Sequence, residues 1–105
     1  MKSIDLNDLL IRRPNATFFF RVEDDDAKSL GIHNGSLLVV DKSIKAKPDD
    51  FVVMAHEGRI MCRRLKLQGN DRVFSDEVNV FKPIIDDTAI LGVVTSAIQV
   101  FSNVK

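Results

Sequence analysis

The chain has 105 residues, 45% of them apolar and 29% charged, with 15 Lys and Arg balanced by 15 Asp and Glu. That length suits one small domain, near the size at which a single hydrophobic core sustains itself, and leaves no room for a second. Zero net charge removes the overall basic field that would drive binding to nucleic acid or a membrane surface. One cysteine, Cys62, forms no intramolecular disulfide, which fits a reducing cytoplasm. No apolar run reaches the ~18 residues of a membrane span, and Met1-Lys2-Ser3-Ile4-Asp5 is not a signal peptide. The expectation is a cytoplasmic protein with no direct nucleic-acid contact and no membrane.

In chain order, Ile4 to Ile11 suits a short helical turn, with Asp5 or Asn7 as N-cap and Leu6, Leu9 and Leu10 on one face. Arg12-Arg13-Pro14-Asn15 breaks it. The aromatic run Thr17 to Val22 has strand composition, with Phe18 and Phe20 on one face and Phe19 and Arg21 on the other. Four consecutive acids follow, Glu23 to Asp26. Adjacent carboxylates repel and desolvate badly, so they belong on a surface or beside a cation. Ala27 to Ile32 allows a helical turn or two, and His33-Asn34-Gly35 is a turn signal. Leu37 to Asp41, four apolar residues and an acid, reads as a strand buried on both faces.

Ser43 to Asp50, preceded by Lys42 and containing Lys45, Lys47 and Pro48, is a charged connection whose lysines are expected in solvent. Phe51 to His56 and Arg59 to Leu65 are strand-like runs separated by Glu57-Gly58, the spacing of a tight hairpin. Alternation sets Met61, Arg63 and Leu65 on one face and Ile60, Cys62 and Arg64 on the other. An arginine flanked by Met61 and Leu65 is expected to be at least half buried and to need an acceptor. Gln68 to Asp71 is a turn, Arg72 to Phe74 a short strand, Ser75 to Asn79 a loop, and Ala89 to Phe101 holds a final strand.

Several of these segments resemble the self-cleaving family of LexA and UmuD. The string I-D-L-N-x-L-L-I-x-x-P-x-A-T-x-F, which starts at Ile4, is nearly that of the folded core of the UmuD branch. N-G-S-L-L-V-V-D is similar to the family's G-D-L-L-x-V-D, Phe81-Lys82-Pro83-Ile84-Ile85 resembles N-x-x-Y-x-P-I, and Leu91-Gly92-Val93-Val94 resembles the closing G-V-V strand. The resemblance implies a mainly β fold of the LexA/UmuD C-terminal-domain type, twisted antiparallel β-sheets with short helical turns. It also implies one domain over residues 1–105 without the N-terminal cleavage arm, since Met1 falls about where the processed form begins.

The same alignment places the family's G-D-S-M on Asp24, Asp25, Asp26 and Ala27, so Asp26 stands at the nucleophilic serine. The lysine that acts as general base falls on Arg63. A buried lysine can be tuned to lose its proton. A guanidinium stays charged, and a carboxylate is no substitute for an activated hydroxyl. No catalytic residue, cofactor or metal is therefore expected. Asp26 and Arg63 are instead expected to replace the dyad with a salt bridge, a partly dry pair that would cost roughly 3–5 kcal/mol to break if buried. Arg64 or Asp24 remain alternatives for either partner.

Other chemistry is weaker. Ser29 and Ser36 lie near Lys28 and Lys42 but in no arrangement that supplies a base and an orienting group. His33 and His56, with one cysteine, make no metal-ligand spacing, and no glycine-rich phosphate loop is present. The resemblance therefore implies a dimeric interaction module, most simply an accessory subunit for a UmuC-like Y-family polymerase in lesion bypass during the SOS response. The alternative is a regulatory decoy that pairs with an intact UmuD- or LexA-like paralogue. A peptidase using another serine is the third reading.

Overall fold

The structure, a computed structural model, describes residues 10–23, 25, 27–56, 58–78 and 90–101. Of the helical turn expected at Ile4 to Ile11, only Leu10, which is helical, and Ile11 are described. Phe81 to Ile85, Asp24 and Asp26 lie outside the described residues. The break at Arg12 to Asn15 becomes a 3-10 turn over Pro14–Ala16, where the fixed φ of Pro14 suits the first helical position. The hydroxyl of Thr17 donates to the Arg13 carbonyl at 2.7 Å, closing the turn onto the first strand.

Six antiparallel strands form one sheet: β1 (Thr17–Arg21), β2 (Leu37–Asp41), β3 (Phe51–His56), β4 (Arg59–Gln68), β5 (Asp71–Ser75) and β6 (Ile90–Ile98), in the order β1-β2-β6-β3-β4-β5. Both faces carry a core. On one, Leu38, Val40, Val53 and Cys62 pack with Val22, Ala27 and Ile32 from the β1–β2 connection, joined by Phe18 and Phe20. On the other, Val52, Met54, Met61, Leu65, Phe74 and Val93 pack under Ile44 and Ala46 from the β2–β3 connection. The continuous apolar runs of β2 and β3 follow from this double burial. Lys42, Lys45 and Lys47 project from the second connection into solvent, as their charge demands.

The β3–β4 hairpin is as tight as its spacing implies: His56 pairs with Arg59, and Gly58 sits at φ +77°, where a side chain would be strained. The last strand runs through the middle of the sheet, between β2 and β3. Its register slips against β2 at Val39/Val40 and against β3 at Val53/Met54, so Thr95 and Leu91 are extra residues on β6, two bulges that bend the strand. Gly92 lies between them. A Cβ there would come within 2.6 Å of Val40 Cγ1 and 3.1 Å of the Asp41 carbonyl oxygen, so β6 approaches β2 only because this residue has no side chain.

Candidate functional site

The β1–β2 connection turns back over the sheet through a short 3-10 segment, Lys28–Leu30, which ends on Gly31 in the left-handed region. Ala27 anchors this segment in the core of Leu38, Val40 and Cys62 at 2% exposure, and backbone N–H groups of Leu30 and Ile32 both donate to the Ala27 carbonyl, at 3.0 and 3.2 Å. The Ser29 hydroxyl donates to the carbonyl of Asp76, tying the segment to the loop after β5. His33 lies in an exposed turn and Ser36 is buried just before β2.

A cleft of about 410 Å³ opens where this connection faces the β3–β4 hairpin. One wall is the end of β1 and the residues after it, Phe19 to Glu23, together with Ala27; the other is Ile60, Met61 and Cys62 of β4. Ala27 and Cys62 line this cleft and share one core, whereas Arg63 is not among its described lining and lies on the other face of β4, with Met61 and Leu65. Phe19 and Ile60, exposed at 51% and 54%, form an apolar part of the rim. No residue with a hydroxyl or an imidazole lines the cleft among the described residues.

Arg63 is buried at 2% exposure, opposite Val52 of β3 and flanked on its face by the buried Met61 and Leu65. Its Nη1 donates to the Cys62 carbonyl at 2.7 Å, one of its contacts rather than all of them. Burial pushes the Cys62 thiol up to about 12, outweighing the opposite pull of the neighbouring Arg63 charge. A thiol so shifted stays protonated near neutral pH and is no nucleophile.

Arg64, the other cation considered for the pair, goes elsewhere. Its side chain contacts the Asp49 backbone carbonyl at 3.2 Å and Glu77 Oε1 at 3.3 Å, and its guanidinium carbon lies 5.3 Å from the centroid of the Phe51 ring. Lys66 adds a 3.1 Å ion pair to Asp49. Asp49 and Glu77 are the two described non-glycine residues with positive φ, and Arg64 binds both.

Sequence reasoning missed a second polar cluster, centred on the buried Asp41 that closes the L-L-V-V-D run. Its carboxylate accepts from the Ser43 hydroxyl at 2.6 Å, the Ser43 backbone N–H at 2.8 Å and Arg13 Nη1 at 3.1 Å. The Ser43 hydroxyl is the largest of the influences that hold the carboxyl below its usual value of 3.8; burial opposes them, and Arg13 adds to the lowering. The Asp41-Lys42-Ser43 spacing, an aspartate that can bond its own backbone two residues on, was the available signal.

A family model described as Peptidase S24-like matches residues 1–95. The chain belongs to the Peptidase S24-like family. Similar proteins include Protein SamA of Salmonella typhimurium, 38% identical over 100 residues that cover 93% of this chain and 70% of SamA. Protein ImpA of Escherichia coli is 34% identical over 100 residues, covering 93% of this chain and 69% of ImpA. ImpA of Shigella flexneri matches to the same extent. The LexA and UmuD resemblance read from the motifs is thus a relationship across nearly the whole chain, and the mainly β sheet is consistent with it. Among the described residues, no helix of this S24-like chain is long and apolar enough to cross a membrane.

Proposed function

We propose that this S24-like chain is a catalytically inactive, UmuD-like protein that works by holding partners together in SOS mutagenesis. The observation that supports this reading most directly is the buried Arg63, at the strand position where the family resemblance places the lysine base. A guanidinium cannot accept a proton from a hydroxyl, and the described lining of the adjacent cleft holds no hydroxyl to activate. Asp26 stands at the serine position and, in this reading, pairs with Arg63 as an ionic replacement for the dyad.

The interaction proposed is a homodimer that serves a UmuC-like Y-family polymerase subunit. The register of β6 with β3 stops at Val93, so Ser96 to Ile98 pair with β2 on one side and have no strand partner on the other among the described residues. Ile98, Val100 and Phe101 are exposed beside that edge, where a partner strand could add backbone hydrogen bonds and cover apolar surface. This supports self-association through the final strand, on the edge that β3 leaves open after Val93.

Two measurements test the proposal. Incubation of the purified chain with activated recombinase filament, followed by mass measurement, is expected to return the intact mass; a discrete cleavage product that disappears on changing Ser29 or Ser36 would overturn inactivity. Co-purification with a Y-family polymerase subunit is expected in preference to mixed-dimer formation with a cleavable UmuD- or LexA-like paralogue, and the reverse order would establish the decoy instead.

A further inference from the structure

Among the asparagines of this chain, Asn34 alone is followed by glycine. Asparagine is a thermolabile side chain because the backbone nitrogen of the next residue can attack its amide carbon. A glycine, with no Cβ, leaves that nitrogen open to approach. Asn15 and Asn70 are also exposed, but they precede Ala16 and Asp71, whose side chains crowd the same path. Asn34 is exposed in a turn closed by the Ser36 N–H, which donates to the His33 carbonyl at 3.0 Å.

The nitrogen that would attack is already engaged. The Gly35 N–H donates to the Val22 carbonyl at 2.6 Å, and the Val22 N–H donates to the Ser36 carbonyl at 2.9 Å. These two bonds continue the β1–β2 ladder past Arg21 and Leu37. They also close the base of the connection that carries Ala27 and Ile32 into the core, where Val22 itself is 4% exposed. Attack on Asn34 therefore requires that end of the ladder to open first, a local event separable from global unfolding.

We propose that Asn34 is a self-modification site gated by the bonds that join Val22 to Gly35 and Ser36. Once the gate opens, the Gly35 nitrogen bonds to Asn34 Cγ, the Cγ–Nδ2 bond breaks, and the side-chain amide leaves as ammonia with the proton from Gly35. The cyclic imide then takes up one water at either carbonyl. One product is aspartate; the other is isoaspartate, in which the main chain runs through the side chain and is a methylene longer. Both add a negative charge to the turn. The isoaspartyl product also moves Gly35 and Ser36 out of register with Val22, so it opens the base of the connection in one direction only. The site stands apart from the reading given to the cleft.

The test incubates the full chain in mildly alkaline buffer, folded and in urea, and follows each asparagine by peptide mapping and isoaspartyl-specific methylation. In urea Asn34 should convert faster than Asn70. In the folded chain its rate should fall by about tenfold or more, the factor that two backbone hydrogen bonds supply. Val22→Ala, which thins the packing beside the gate, should raise the folded rate by about tenfold; Ser29→Ala, which loosens the same connection at its tie to Asp76 and leaves the core intact, should raise it by less. The isolated isoaspartyl chain should lose hydrogen-exchange protection at Val22 and Gly35. Asn70 converting first in urea would overturn the site. Equal rates in the folded and unfolded chain, a folded rate unmoved by both substitutions, or one that climbs with urea as steeply as global unfolding would overturn the gate, and retained protection in the isoaspartyl chain would overturn its effect.

Discussion

Arg63 and Arg64 are neighbours on one strand and have opposite fates. The first is 2% exposed among Met61, Leu65 and Val52; the second has a side chain 35% exposed and lies over Phe51 between Asp49 and Glu77. The contrast extends to the regions they belong to. Within the sheet, position is set by packing, and a group has one place to go. At the rim, charges trade partners with water and contribute little individually. A change inside the sheet should therefore be large and insensitive to salt, and one at the rim small and salt-dependent.

The largest effect is expected at Arg63. Arg63→Ala should lower stability by about 3–5 kcal/mol if it strands a buried carboxylate, measured by urea unfolding. Asp26→Asn in the same chain should then recover part of the loss. A double-mutant cycle with no coupling between the two positions would dissolve the proposed pair and leave Arg63 with its other contacts. Next comes Gly92→Ala, where the new methyl meets Val40 Cγ1 at 2.6 Å; overpacking of this kind costs about 1–3 kcal/mol, and trimming Val40 to Ala should relieve it.

At the rim, Arg64→Ala should cost no more than about 1 kcal/mol at low salt and less in 1 M salt, where the Debye length shrinks to about 3 Å; an undiminished loss would place Arg64 with the interior. Asp41 adds a pH signature. Its carboxyl is held below 3.8, so its contribution is fully present above that value and is lost as pH falls through the lowered one. Asp41→Asn should flatten the acid limb of the stability curve in that window and leave the alkaline limb alone. Smallest of all is Asp49. Asp49→Gly loses its pairs to Lys66 and Arg64 but releases a backbone held at φ 76°, so it should be more stable than Asp49→Ala by about 1 kcal/mol, compared in parallel melts.

How much of this was legible beforehand depends on the range of the interaction. The pleat is local, so alternation alone placed Arg63 with Met61 and Leu65 and set Cys62 and Arg64 on the other face. The two-residue link at Glu57-Gly58 and the all-apolar β2 were equally local signals. The candidate site was legible only as positions borrowed from a family alignment. That Ala27 and Cys62 line one cleft depends on a connection folding across strands far away in sequence. The Asp41 cluster was missed because Arg13, one of its donors, comes from a different part of the chain.

By itself, then, the sequence determined the strands, their inward faces, the turns and the family, since each rests on residue spacing or on chemistry carried by one segment. The tertiary structure alone decided that the last strand runs down the middle of the sheet, that Gly92 is required by Val40, and that Arg64 rather than Arg63 meets Asp49 and Glu77. Those outcomes follow from which strands become neighbours, a property of the whole chain's burial that no single stretch of residues encodes.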